Sequence, residues 1–306
     1  MATSITTTYA GEFAGKYISA ALLSADTIEG GGITVKPNVK YKEVMKTLST
    51  NALVKDAACD FADQSTVTLA ERVLQPEEFQ VNLELCKKDF HNDWEAIQMG
   101  YSAFDSLPPS FADFLIGHIA AKVAQKTEEN IWQGAAATAG EFDGFTALLA
   151  ADATVIDVVG TTVTAANVID ELGKVVDAIP TSVYGKEDLY IYVSQSIARA
   201  YVRALGGFGA SGLGANGVNN AGTTWFNGGD LAFDGVKLFV CSGMADNDMV
   251  AAQKSNLFFG TGLLADHNEV KLIDMADLDG SQNVRVVMRF TSAVQYGIGA
   301  DIVYYT

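Results

Sequence analysis

The longest amphipathic segment of the sequence, from Phe111 to Gln133, constrains the fold more than any other feature. Its apolar side chains recur every four residues, which is the spacing of one face of an α-helix: Phe111, Leu115, Ile119 and Val123. Ser110 is the predicted N-cap and Gly134 the predicted stop. At 1.5 Å per residue such a helix is about 35 Å long. A fold that contains it must lay another apolar layer along this face.

The end of the sequence supplies strands for that layer. Val270 to Met275 and Val284 to Phe290 flank Asp279-Gly280, a pair of residues typical of a β-hairpin turn. Ile298 to Tyr305 is rich in aromatic and β-branched residues and predicts a last strand. We expect the apolar face of the helix to pack on alternate residues of the second strand, namely Val286, Met288 and Phe290.

Two further strands precede the helix. Phe79 to Leu85 alternates apolar and polar residues with a period of two, and Thr66 to Val73 does so more weakly. Pro76 lies between them and predicts a bend or a sheet edge. The region from Met45 to Leu85 is therefore interpreted as a protruding, β-rich excursion.

The first forty residues are typical of an arm. Gly11 to Ser24 predicts a short amphipathic helix, whose apolar face carries Phe13, Tyr17, Ala20 and Ala21. Gly30 to Gly32 interrupts it, and the residues ITVKPNV that follow are predicted to be extended. A short helix of this kind exposes its apolar face unless a neighbouring molecule covers it.

The middle of the chain alternates helical and strand patterns. Ala165 to Ile179 and Ser194 to Leu205 are predicted helices, and Leu189 to Val193 and Val236 to Val240 are predicted strands. Gly206 to Gly235 is rich in glycine and asparagine and predicts a surface loop. Because strands distant in sequence flank this α/β region, we expect it to be a domain inserted into another one.

Local motifs do not predict a nucleotide or calcium site. The pattern G-x-G-x-x-G starts at Gly207 and again at Gly212, but it follows a predicted helix and leads into more loop. A dinucleotide fingerprint instead follows a strand and opens a helix. In the acidic run that ends at Gly280, Met275 stands where a calcium loop requires a carboxylate, and Met244 to Asp248 offers too few ligands.

The histidines and cysteines do not predict catalysis either. His91, His118 and His267 each lack the sequence setting of a hydrolase or a zinc site. Cys86 continues an alternating strand, which favours a packed thiol over a nucleophile. Cys59 and Cys241 are far from it and from each other, so we expect reduced, mostly buried thiols. The sequence predicts no catalytic, cofactor-binding or metal-binding residue and no cofactor.

The charge balance restricts the partners. Lys and Arg number 20 against 37 Asp and Glu, a net charge of −17, which opposes tight binding to nucleic-acid phosphates. The N-terminus, MATSITTTYAGEF, lacks the basic and apolar regions of a signal peptide. No apolar run reaches the roughly 18 residues of a membrane span. We expect a soluble protein that is made in a bacterial cytoplasm and has no membrane partner.

Two parts of the chain carry a resemblance to a known family. FDGVKLFVCSGMADNDMVAAQKSNLFFGTGLLADHNEVKLIDM and VRVVMRFTSAVQYGIGADIVYY resemble the closing section of the major capsid proteins of tailed double-stranded DNA bacteriophages. WQGAAATAGEFDGFTALL is similar to that family's exit from its spine helix. The resemblance implies an α+β, Hong-Kong-97-like capsid fold with an N-terminal arm, an extended β loop, a spine helix with β-sheet (the peripheral domain) and an inserted α/β axial domain. The implied boundaries are 1–39 for the arm, 40–90 for the extended loop, 91–140 with 267–306 for the peripheral domain, and 141–266 for the axial domain.

The same resemblance implies a function and partners. The chain would be a structural subunit of an icosahedral capsid, not an enzyme, that self-assembles in the host cytoplasm into hexamers and pentamers enclosing double-stranded DNA. Implied partners are other copies of the chain, scaffolding, portal and decoration proteins, and packaged DNA without sequence-specific contact. Some relatives join subunits by a Lys–Asn isopeptide bond, for which Lys55 is the candidate by location. A chain beginning at Met1 with an arm-like sequence implies a separate scaffold or an earlier trimming.

Three other functions remain open. A cellular nanocompartment shell of the same fold would have a cargo-binding pocket and enclose no genome. An enzyme that uses the glycine-rich loop would show a nucleotide-dependent thermal shift. A tail or adhesin β-protein would form fibres or trimers and contain far less helix.

Overall fold

In the computed structural model, the described residues are 26–51, 54, 56, 57, 59, 66–86, 109–205, 231–262 and 271–306. The helices in these ranges are α1 (Asp26–Glu29), α2 (Pro109–Gln133), α3 (Phe145–Ala150), α4 (Val168–Asp177), α5 (Gln195–Leu205) and α6 (Ala276–Asp279). The strands are β1 (Thr34–Lys36), β2 (Glu43–Thr50), β3 (Val67–Leu74), β4 (Glu77–Cys86), β5 (Ile156–Val158), β6 (Leu189–Ser194), β7 (Ala232–Phe233), β8 (Val236–Cys241), β9 (Met249–Gln253), β10 (Leu257–Gly260), β11 (Lys271–Asp274), β12 (Asn283–Tyr296) and β13 (Val303–Tyr305). Five predictions fall outside the described residues: the arm helix, most of the glycine-rich loop, Lys55, His91 and His267.

The first sheet is organised around β12, which is 14 residues long. β4 pairs antiparallel with β12 over ten residues, from Asn283 opposite Cys86 to Ser292 opposite Glu77. β11 and β10 also pair antiparallel with β12, and β1 extends the sheet by a parallel pairing with β10. The result is a five-stranded sheet in which one strand bonds to three others.

The spine helix α2 packs on this first sheet, as the sequence predicts. Ile119 and Val123 are buried against Val286 and Met288 of β12. The same cluster is completed by half-buried side chains, namely Val81, Leu83, Leu115, Leu272 and Phe290. The apolar residues spaced by four on the helix and those spaced by two on the strand therefore pack against each other in one layer.

The ends of α2 differ in detail from the prediction. The helix begins at Pro109, so Ser110 lies in its first turn and is not the N-cap. Proline suits the first helical position because its φ is preset and its missing N–H needs no partner there. Gly134 does follow the last helical residue, but for reasons of space: a Cβ on it would lie 2.2 Å from the Phe142 carbonyl oxygen.

The second sheet has six strands in the order β5-β13-β9-β6-β8-β7. One face is covered by α4 and α5, which bury Leu172, Val175 and Ile197 against Ile191 and Val193 of β6. Both helices are shorter than the predicted segments, since α4 covers only Val168–Asp177 and α5 starts at Gln195. The inserted α/β region of the sequence corresponds to most of this layer.

The other face of the second sheet contacts the first sheet through the end of the spine helix. Trp132 is fully buried between Phe145 and Tyr192, with ring centroids 5.4 and 5.3 Å away. The same cluster includes Phe259 and Tyr296 from the first sheet. The two sheets therefore share one core.

Three predictions about the strands need correction. The last strand is β13 (Val303–Tyr305), after a 3-10 turn at Gly299–Asp301, and it pairs with β9 and β5 in the second sheet instead of joining β12. The end of the predicted surface loop forms β7, which pairs with β8. The β11–β12 connection is a helical turn, α6, that ends at Gly280 with φ 70°, and not a two-residue turn.

The thiols are less buried than expected. Cys241 is buried, Cys86 is half-buried at the end of β4, and Cys59 is exposed. Burial raises the pKa of the Cys241 thiol well above its ordinary value. Within the described part of the chain, the helices lack the combination of length and apolar composition that a membrane span requires.

The packing of α2 on β12 predicts the effect of truncating its buried side chains. Ile119→Ala leaves a cavity between helix and sheet and should lower the free energy of unfolding by about 2–5 kcal/mol. Urea unfolding of the dilute subunit measures this. Lys122→Ala, on the exposed side of the same helix, should leave the midpoint unchanged. Equal midpoints for the two variants would contradict the packing described here.

Candidate functional site

The acidic residues and histidine considered from the sequence do not form a metal site in the described part of the chain, and the glycine motifs that start at Gly207 and Gly212 lie outside that part. Asp274 ends β11, Asp277 and Asp279 follow on α6, and His118 lies on α2. No three His, Cys, Asp or Glu side chains among the described residues lie close enough to hold a metal ion. The prominent features of these residues are exposed apolar surfaces and the polar contacts that orient them.

The most exposed apolar surface lies on the two-stranded ribbon formed by β2 and β3. Directly paired residues of antiparallel strands share a face, and here Leu48 pairs with Leu69 while Val44 pairs with Val73. Leu48 is 65 % exposed and Leu69 is 71 % exposed. We define the outer face of the ribbon by five exposed side chains, which are Val44, Leu48, Val67, Leu69 and Val73.

The opposite face of the ribbon is packed at one end, near the pair of Glu43 and Leu74, which we call its root. Met45 and Leu74 are buried, 8 % and 1 % exposed, in a small cluster with Val39 and Ala293. Leu74 lies directly over Gly260, where a Cβ would come within 2.7 Å of it. The ribbon is therefore fixed where it leaves the first sheet and uncovered further out.

Arg72 on β3 attaches the ribbon to the residues around Asp152 and Gly297. Its Nε donates to the Gly297 carbonyl at 3.0 Å, and its guanidinium pairs with Asp152 and lies 4.1 Å from the centre of the Tyr296 ring. Tyr296 donates its hydroxyl proton to Asp152 at 2.8 Å. The N–H of Thr154, together with Arg72 and Tyr296, holds the pKa of Asp152 well below its usual range. The ribbon is thus tied to α3 and β12 by a charged network.

A buried carboxylate joins the chain at residue 27 to the spine helix. Glu128 is fully buried, and Thr27 donates both its backbone N–H, at 3.1 Å, and its hydroxyl to it. Trp132 Nε1 donates to the same hydroxyl oxygen at 2.9 Å. Asp26 accepts a hydrogen bond from Ser242 at 2.9 Å. Burial, with a smaller contribution from the Asp26 carboxylate, raises the pKa of Glu128 from 4.5 to about 7.

The sequence predicts the protruding β-rich excursion, but it does not single out the strand β2, the buried Glu128 or the pair of Arg72 with Asp152. β2 has only a weak alternation of apolar and polar residues. Of the positions on its outer face, Val44 and Leu48 are apolar, but Lys46 and Thr50 between and after them are not. Glu128 could have been noticed because it lies four residues before Trp132 and so faces the same side of the helix. No local signal connects Arg72 with Asp152, 80 residues away.

Chemically, this arrangement suits association more than catalysis. Five apolar side chains on one face of a ribbon remain in water, although burying each of the larger ones contributes roughly 1.5–3 kcal/mol. A two-stranded ribbon is only marginally stable by itself. Its anchored root and uncovered outer face fit a surface that another molecule completes.

No family model and no curated protein matches this sequence. Solved structures do match in fold. The capsid of a native GTA particle aligns with a TM-score of 0.64 and 12 % identity, over 94 % of this chain and 92 % of that chain.

Two phage structures give a similar result. The capsid of Myoviridae phage XM1 aligns with a TM-score of 0.61 and 9 % identity, over 95 % of both chains. The capsid of cyanophage P-SCSP1u aligns with a TM-score of 0.59 and 13 % identity, over 100 % of this chain and 94 % of that chain. The chain therefore has the mixed α+β, Hong-Kong-97-like capsid fold that the resemblance implies.

The buried Glu128 predicts a specific pH dependence. Its pKa is higher in the folded chain than the ordinary 4.5, so its contribution favours folding at low pH and is lost as pH rises from about 4.5 through about 7. The loss is on the order of 3 kcal/mol. The Glu128→Gln variant lacks this titrating carboxyl and therefore lacks its pH-dependent contribution to stability. The melting temperature of the unsubstituted protein minus that of the variant should fall between pH 5 and pH 8, because groups common to both proteins cancel. A difference that stays constant would contradict the assignment.

Proposed function

We propose that this chain is the major capsid protein of a tailed double-stranded DNA bacteriophage, a structural subunit that assembles into the hexamers and pentamers of an icosahedral shell. The observation that carries the proposal is the fold shared with capsid chains over 94–100 % of this chain. The uncovered outer face of the ribbon supports it, because a shell subunit needs surfaces that only a neighbouring copy covers.

The domain layout is part of this proposal. We assign residues 1–39 to the arm, 40–90 to the extended loop, 91–140 with 267–306 to the peripheral domain and 141–266 to the axial domain. Two strand pairings cross these proposed boundaries. β4, within 40–90, pairs with β12, and β13, within 267–306, pairs with β9.

The partners follow from the same role. The principal partner is a second copy of the chain, and scaffolding, portal and decoration proteins are further partners. The net charge of −17 suits an inner wall against which packaged DNA moves without being bound. The protein would be assembled in the bacterial cytoplasm and reside in the virion.

Electron microscopy of the expressed protein tests the proposal. We expect closed, roughly spherical shells or capsomers above a threshold concentration. Fibres or trimers would support a tail protein. Particles purified from infected cells should contain DNA, whereas genome-free compartments of a single small size would support a cellular nanocompartment. A protein that stays monomeric at high concentration and physiological salt would contradict a shell function.

The outer face of the ribbon gives a sharper prediction. Leu69→Glu places a charge opposite Leu48 and should abolish particle formation, because a neighbour would have to bury an unpaired carboxylate. Leu69 is 71 % exposed in the subunit, so the urea midpoint should remain unchanged. Sedimentation velocity measures the loss of particles.

Thr68→Glu is the matched control, since Thr68 is exposed on the other face of the same strand. It should assemble more readily than Leu69→Glu. Normal particles from Leu69→Glu would show that the outer face is not a subunit contact.

A further inference from the structure

A cleft of about 380 Å³ lies between the spine helix and the first sheet. Its walls are mostly apolar and include Ile119 and Val123 of α2, Phe79 of β4, Phe290 of β12 and Phe142. The Phe79 ring lies 6.0 Å from that of Phe142 and 5.8 Å from that of Phe290. The cleft has the size and lining of a binding site for one or two apolar side chains.

Two polar side chains in the lining of this cleft, those of Lys122 and Asn130, could contact an occupant. Lys122, in the lining, donates a hydrogen bond to the neutral side chain of Gln125 at 3.3 Å and forms no ion pair with the described residues. Asn130, also in the lining, is 5 % exposed and donates its amide to Gly140 at 3.1 Å. Its Oδ1 is buried, and no donor among the described residues reaches it. An occupant with an N–H donor and a negative charge would satisfy both groups.

The connection between β11 and β12 carries matching chemistry. Leu278 on α6 is 70 % exposed, and it lies in the sequence DMADLDG, which has three aspartates and no cation. The turn is well defined: Met275 is buried and donates its N–H to Asn283, and Gly280 donates its N–H to Ala276. We call this element, residues 274–280, the acidic tip. It presents the exposed side chain of Leu278, and an aspartate stands on each side of that residue in the sequence.

The tip cannot fill the cleft of its own chain. It is joined to the start of β12 at Asn283, whereas the cleft is lined by Phe290 of the same strand. Seven residues of extended strand place these points roughly 23 Å apart. The β11–β12 pairing holds the tip at that end of the sheet. A contact between tip and cleft must therefore join two copies.

We propose that the acidic tip of one copy inserts Leu278 into the cleft of a second copy, with its aspartates beside Lys122. The inference rests on the proposed shell function, which supplies the second copy. The contact is heterologous, because the tip and the cleft are different surfaces, and each copy can donate one tip and accept another. Lys126, also in the lining, is held by Glu141 at 2.6 Å, which leaves Lys122 as the cation available to the tip.

A charge-reversal cycle tests the contact. Lys122→Glu and Asp277→Lys should each raise the protein concentration needed for half-maximal assembly about tenfold or more, because like charges then face each other at every contact. The double variant should restore assembly to within about threefold of the unsubstituted protein. Leu278→Ala should weaken assembly in every background. The urea midpoint of each dilute subunit reports folding separately.

Cysteine trapping locates the contact directly. In a Cys59→Ser, Cys86→Ser background, Lys122→Cys with Asp277→Cys should give a ladder of disulfide-linked chains from particles on a non-reducing gel. Lys186→Cys with Asp277→Cys, which uses an exposed lysine far along the chain, should not.

Failure of this contact and failure of the shell function give different results. Normal particles with neither rescue nor a ladder would overturn the contact alone. A disulfide confined to single chains would overturn it too, since the cleft would then be filled from within. If the unsubstituted protein forms no particles, the shell function fails and the contact fails with it.

Discussion

The packing of α2 against β12 is the interaction on which the rest of this structure depends. β12 bonds to three other strands, and the helix covers the face formed by β12 with two of them, β4 and β11. Ile119 and Val123 pack against the buried Val286 and Met288. This one apolar layer therefore fixes both the position of the helix along the sheet and the register of the strands. The orientation of this layer sets the direction in which the elements attached to it extend. The ribbon, the acidic tip and the second sheet all leave from it.

The far end of α2 sets the position of the second sheet and of the chain at residue 27. Trp132 is shared by both sheets, and its indole N–H reaches Thr27, which in turn binds Glu128. A buried carboxylate without a described cation partner destabilises the fold when ionised. Its hydrogen bonds nevertheless specify one geometry for this junction. The junction therefore exchanges some stability at neutral pH for a defined attachment.

Elements with a strong period were predictable from the sequence, and relations between distant segments were not. The spine helix, β4 and the contacts of Ile119 with Val286 and Met288 follow from spacing alone. The partner of β13 does not, because Val303 to Tyr305 is equally apolar whichever sheet receives it. For the same reason the ion pair of Arg72 with Asp152 could not be predicted, because it depends on the tertiary fold. The sequence predicts a protruding excursion from Met45 to Leu85 but not which of its residues form the outer face, because an exposed and a buried apolar face have the same period of two.

We propose that the scaffold of α2 and β12 is rigid in the subunit, whereas the outer face of the ribbon is covered only in the assembled particle. Hydrogen–deuterium exchange, compared between dilute subunits and assembled particles, tests this separation most directly. The amides of α2 and β12 should already be protected in the dilute subunit, because their backbone hydrogen bonds lie within one chain. Peptides that cover β2 and β3 should gain strong protection only in particles. Equal exchange of the ribbon in both states would contradict the claim that a neighbouring copy completes this surface.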